Sequence, residues 1–187
     1  MSDSDPDGGE FFAQFLDDYF AECDEHLTLV RRHLLALEEQ SGRAGLDRPL
    51  LDELFRSFHT LKDISGMVGL GEAEQLAHHL ESYLRALRQG EARLGDEGVE
   101  ALMAGVLTLE QVIAARRREA DAPGIGAAVA RLQAVINESA SEPASAAGGD
   151  SSPRRAAMTC SSTIVAAIRA STPSAPGRAS FWRKARR

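Results

Sequence analysis

Apolar residues recur at Phe12, Leu16, Phe20, Cys23, Leu27, Val30, Leu34 and Leu37. Steps of four and three keep them on one stripe of a helix of about eight turns. A stripe that long must be buried against other helices, and the remaining sequence supplies them. Leu50, Leu54, Phe58, Leu61 and Val68 form a second stripe, and Leu76, Leu80, Tyr83 and Leu87 a third. Leu102, Val106, Leu109 and Ile113 form a fourth, and Val129, Leu132 and Ile136 a shorter fifth. Aromatics make up only 5% and long β-branched runs are absent, which favours helix over sheet. The expected fold class is all-α, an antiparallel four-helix bundle with an additional C-terminal fifth helix. It is expected over residues 9–138, with disordered segments at 1–8 and 139–187.

Boundary signals place the middle helices. Ser41 to Arg48 carries two glycines and breaks the first helix. Asp47 followed by Pro49 is a helix start, because a carboxylate accepts from orphan N–H groups and proline is tolerated in the first turn. The second helix then runs from about Pro49 to Val68. Gly69, Leu70 and Gly71 make a short turn, so the second and third helices are expected as antiparallel neighbours. The third runs from about Glu72 to Gln89 and stops at Gly90, a good residue for a left-handed helix end. The fourth starts near Asp96 and reaches the basic cluster Arg116, Arg117 and Arg118. The fifth ends at about Glu138.

The formal charge of −7 hides an asymmetry. Residues 1–142 carry 13 basic against 27 acidic side chains, and residues 143–187 carry 8 against 1. An acidic helical unit is a poor match for phosphate backbones, so nucleic acid is not an expected partner. From Ser139 the composition turns to Ala, Ser, Pro, Gly and Arg, which buries too little to repay ordering entropy. That tail is expected to be a linker and residues without a selected role, such as the truncated or frame-shifted end of a longer kinase gene. Cys23 and Cys160 show neither a disulfide pattern nor metal-ligand spacing. The acidic N-terminus lacks a signal segment, and no apolar run approaches the ~20 residues of a membrane span. The expectation is a cytoplasmic, monomeric domain with no membrane partner.

Chemistry concentrates on LFRSFHTLKDISGMVGLG, residues 54–71. At 100° per residue, Lys62 lies about 60° to one side of His59, Asp63 about 40° to the other and Gly66 about 20° away. His78 and Glu81 share a side of the third helix. His59 stands ten residues before Gly69 and Glu81 ten after Gly71, so the antiparallel turn brings them level. A phosphoryl-accepting imidazole needs a lone pair at one nitrogen and a proton on the other. A carboxylate that accepts this proton fixes the tautomer, and Glu81 is placed for that. The transferred group spreads charge over its oxygens, and the Lys62 ammonium suits them.

The runs FHTLKDISGMVGL and LAHHLESYLRALRQG, with the opening FFAQFLDDYFAECDEHL, resemble a histidine phosphotransfer (HPt) domain. More narrowly, they are similar to the N-terminal P1 domain of CheA-type chemotaxis histidine kinases. The resemblance implies that His59 is the phosphoacceptor, Lys62 and Glu81 the supporting residues, and His78 a further histidine near the site. It implies two partners, a histidine-kinase ATP-binding domain and a response-regulator receiver domain, with ATP and Mg on those partners and no cofactor bound by this chain. Asp63 departs from the pattern, in which glycine or alanine follows the lysine. Its carboxylate competes with Glu81 for the imidazole N–H or repels an incoming phosphoryl group. Residues 139–187 have no room for a kinase's ATP-binding domain, and no Gly-rich phosphate loop is present.

Two other readings compete. Four-helix bundles hold di-iron centres through paired Glu-x-x-His motifs, but this chain has one such pair, reversed as His78-x-x-Glu81, so no metal is expected. The second is a non-catalytic helical adaptor that binds signalling partners without phosphotransfer, motivated by Asp63 and the missing kinase domains.

Overall fold

In the computed structural model, residues 6–40 and 46–141 are described, with side chains over 12–40 and 46–138. Five helices result: α1 Pro6–Glu38, α2 Arg48–Met67, α3 Gly71–Gln89, α4 Asp96–Arg117 and α5 Gly126–Ser141. No strand occurs among the described residues. The unit expected at 9–138 thus begins at Pro6 and closes at Ser141. The rest of the expected tail, 142–187, lies outside the described residues.

The helices begin and end where local chemistry directs. Asp47 caps α2 by accepting the Leu50 N–H at 3.3 Å, with Pro49 in the first turn. At the other end, Leu70 N–H reaches Ser65 O at 2.9 Å and Gly69 N–H reaches Gly66 O at 3.2 Å. This double closure requires a left-handed residue, and Gly69 takes it at φ 71°. Gly90, φ 75°, ends α3 in the same way, with Glu91 N–H on Ala86 O at 2.9 Å.

α1 packs on α2 and α4, and α3 packs on α2 and α4, which closes a four-helix bundle; α5 lies across α3 and α4. Leu27, Val30, Leu34 and Leu37 of α1 face Leu51, Leu54, Phe58 and Leu61 of α2 in one continuous core with Leu76, Leu80, Tyr83, Leu102, Val106 and Leu132. Each fully buried leucine contributes roughly 1.5–3 kcal/mol relative to exposure. The α1 stripe departs from expectation at its start. Phe12 is exposed, and Tyr19, not Phe20, enters the core. Tyr19 is admitted because its hydroxyl finds Ser65 Oγ at 3.2 Å on α2, so no polar group is stranded. Leu50 and Val68 of the expected α2 stripe are only partly buried, and Leu51 takes the core position.

α4 is buried on more of its circumference than a single stripe, because α1, α3 and α5 all cover it. Val99, Met103 and Val112 join the expected Leu102, Val106, Leu109 and Ile113 in the core. It is long and apolar enough to cross a membrane, with an 18-residue window of mean hydropathy 1.4, yet 56% of that window is buried inside the protein. Gly98 lets it pass Tyr83, since a Cβ there would overlap Tyr83 Oη. Arg31 of α1 ties the far side to α4 through Glu110 at 2.7 Å.

Candidate functional site

α2 turns His59 outward while its neighbour Phe58 is fully buried, leaving the imidazole 52% exposed. The ring is supported from below: Phe55, one turn earlier, lies parallel to it, with centroids 6.3 Å apart and planes 8° from coplanar. Arg88 of α3 stacks over the same phenyl ring at 4.7 Å and pairs with Asp52 of α2 at 2.7 Å. The histidine therefore stands on a platform pinned to both helices.

The antiparallel turn brings Glu81 level with His59, with Glu81 Oε1 3.5 Å from His59 Nδ1. The direct carboxylate–imidazole hydrogen bond expected from the sequence is not the contact that forms. Lys62 lies between the two, donating to Glu81 Oε2 at 2.7 Å and standing 3.0 Å from His59 Nδ1. Glu81 Oε1 accepts from Arg85 at 2.9 Å. Burial explains the choice. The Glu81 side chain is 2% exposed, and a buried carboxylate is sustained by full cations better than by a neutral ring. Burial alone pushes the Glu81 carboxyl up; the hydrogen bond and charge of Lys62, with His59 and Arg85, outweigh it and hold the carboxyl below its ordinary range.

Asp63 reaches the opposite edge of the ring. Its Oδ2 is 3.5 Å from His59 Nε2, and its Oδ1 is 3.7 Å from Lys62 Nζ. His78 lies on α3, three residues before Glu81. Its exposed ring lies edge-on to His79, with centroids 5.8 Å apart, and no hydrogen bond or ion pair among the described residues joins it to His59. Gly66 shares the outward face, and a side chain there would meet the Glu74 carboxylate of α3 at 3.2 Å. Among the described residues, no group of three or more His, Cys, Asp or Glu is arranged to hold a metal ion.

Phe55, Arg85 and Arg88 are the residues that sequence reasoning missed. Two of them carried a local signal: Phe55 precedes His59 by four, and Arg85 follows Glu81 by four, the spacing at which helical side chains meet. The resulting site is an exposed imidazole with a cation at its edge, held by a buried anion. That arrangement can present a ring nitrogen to an electrophile and steady a multiply charged group beside it.

Comparison with known proteins agrees with the all-helical fold. The family model of the Hpt domain matches residues 14–142. The chain is 32% identical over 96 residues to chemotaxis protein CheA of Halobacterium salinarum, covering 51% of this chain and 14% of that protein. It is 32% identical over 100 residues to CheA of Bacillus subtilis, covering 54% and 14%. The match therefore spans about a seventh of each relative's length. Among solved structures, the phosphorylated P1 domain of CheA3 in complex with CheY6 from R. sphaeroides superposes with a TM-score of 0.55 at 28% identity. That superposition covers 69% of this chain and 97% of the P1 domain.

Proposed function

The chain belongs to the Hpt domain family, and on that premise we propose that it relays phosphoryl groups in chemotaxis-type two-component signalling, with His59 as the acceptor. The observation that carries the reading is the exposed imidazole of His59 beside Lys62, whose ammonium is anchored on the buried Glu81. A separate histidine-kinase ATP-binding domain supplies the group. The Nε2 lone pair forms a bond to the γ-phosphorus as the bond from that phosphorus to the ADP oxygen breaks, and Lys62 turns toward the phosphoryl oxygens. As Lys62 leaves Nδ1, Glu81 accepts a hydrogen bond from Nδ1–H, which makes Nε2 the better nucleophile for this attack. A response-regulator aspartate accepts the group in the second step. The P1 domain similar to this chain is phosphorylated and bound to CheY6, which supports a receiver domain as partner. ATP and Mg belong to the partners, and the relay takes place in the cytoplasm.

Incubation of the full chain with a CheA kinase core and radiolabelled ATP tests this. Acid-labile, alkali-stable label is expected on the wild type and none on His59→Gln. Label that persists in His59→Gln, or no label on the wild type, overturns the reading in favour of a non-catalytic adaptor.

A further inference from the structure

We propose that Asp63 is a positioning residue that keeps the free domain's imidazole protonated on Nε2, closing the accepting nitrogen until a partner docks. The geometry stands by itself; its consequence for reactivity rests on the reading of His59 as the phosphoacceptor. An ammonium carries protons and no lone pair, so Lys62 Nζ, 3.0 Å away, donates to His59 Nδ1. Nδ1 is then the unprotonated nitrogen of the neutral ring, and the proton sits on Nε2. Nε2 faces Asp63 Oδ2 at 3.5 Å, and a carboxylate is an acceptor only. The other Asp63 oxygen is 3.7 Å from Lys62 Nζ, so one carboxylate attracts both the Nε2 proton and the ammonium that occupies Nδ1. Glu81 is the competing acceptor for an Nδ1 proton, but it stands 3.5 Å off, with one oxygen on Lys62 and the other on Arg85. Lys62 at Nδ1 and Asp63 at Nε2 thus favour the same tautomer, and Glu81, engaged by two cations, is the one charged group that opposes it.

That tautomer is the unreactive one for transfer to Nε2, because the nitrogen that bears the proton has no free lone pair. Acceptance requires the proton to leave Nε2 and a proton to arrive on Nδ1, exchanged through solvent, so that the ring stays neutral. Lys62 must leave Nδ1 for the phosphoryl oxygens, and Glu81 Oε1 then accepts the Nδ1 proton. A donor site brings cations with its phosphoryl group, and these draw off Asp63 as they dock. Where glycine or alanine follows the lysine, this second hold on the ring is missing.

The experiment is long-range ¹H–¹⁵N correlation spectroscopy of the ¹⁵N-labelled full chain at alkaline pH, with the His59 ring identified by its loss in His59→Gln. Proton-bearing and bare ring nitrogens have widely separated ¹⁵N shifts. The expected wild-type spectrum places the proton on Nε2, and in Asp63→Ala the balance moves toward Nδ1. Asp63 is exposed and alanine is a good helix former, so the variant folds. A wild-type ring protonated on Nδ1, or a tautomer unchanged in Asp63→Ala, overturns the assignment. In the kinase assay, Asp63→Ala is expected to accept phosphate roughly two- to fivefold faster, the rate equivalent of one exposed charge contact. A shifted tautomer with an unchanged rate overturns the closing role. Absence of phosphate on both proteins counts against the phosphotransfer reading and leaves the spectroscopic assignment standing.

Discussion

At Glu81 a buried charge is kept because two cations reach it, and this makes the site sensitive to acid. The folded carboxyl lies below its ordinary range, so the unfolded chain binds the proton more tightly. The stability this provides is fully present above the unfolded value, near pH 4.5, and is lost as pH falls through the folded value. Glu81→Gln is therefore expected to lower stability at neutral pH by about 1–2 kcal/mol, the cost of weakening a charged hydrogen-bond set. Below that pH its melting curve should converge on the wild type, as circular dichroism melts from neutral to acid would show. A gap that stays constant down the titration would place the effect elsewhere than in this ionisation. The positions of His59, Lys62 and Glu81 were legible in the sequence because helical phase and distance from a glycine turn are geometric. Which partner Lys62 takes was not legible. That depends on Glu81 being sealed from water, and burial of one carboxylate is decided by the packing of two helices. The edge-on contact of His78 with its neighbour His79 was likewise not legible.

At the level of elements, α2 and α3 carry the site, and their stops are as informative as their stripes. Gly69 and Gly90 supply the left-handed residue their terminal turns require, and both turns were readable from glycine placement. α4 ends by the same hydrogen-bond pattern without a glycine. Ala120 N–H meets Ala115 O at 2.9 Å and Glu119 N–H meets Arg116 O at 3.2 Å, while Glu119 adopts φ 52°. A side chain in that conformation pays a steric penalty that glycine does not. Glu119→Gly is expected to stabilise the protein by about 0.5–1 kcal/mol, net of the extra freedom glycine has when unfolded. Urea unfolding should show a higher midpoint with an unchanged slope, and a lower midpoint would mean that the Glu119 side chain contributes more than its backbone costs. The basic cluster Arg116 to Arg118 marked this end in the sequence, and the helix stops at Arg117, but the left-handed conformation of Glu119 was not legible there. The α1 stripe was read one residue out at its start for a similar reason. Periodicity ranks Phe20 above Tyr19 on apolarity alone, and only the distant Ser65 hydroxyl makes Tyr19 the better core residue.

For the whole molecule, the question is which parts the His59 site needs. The site lies between α2 and α3, yet α3 is also held from behind by α4 and α5. Leu132 of α5 is fully buried, at the seam where Gly105 of α4 and Leu80 of α3 approach each other. α5 therefore acts as the outer wall that keeps α3, and with it Glu81, in register. The fully buried core runs from Tyr19 to Leu132, and the last helix closes at Ser141. A chain ended after Glu142 should keep the full melting temperature and the full rate of phosphate acceptance, even though it loses the segment with 8 basic and 1 acidic side chains. Leu132→Ala should instead cost about 2–5 kcal/mol through the cavity it leaves. If α5 serves only as a wall, the rate of phosphate acceptance by the folded Leu132→Ala protein, measured well below its melting temperature, stays near wild type. A shortened chain that melts lower would show that residues beyond Glu142 pack on the bundle. A shortened chain that melts normally but accepts phosphate more slowly would show that the basic segment steers the acidic domain to its donor, an effect added salt would erase.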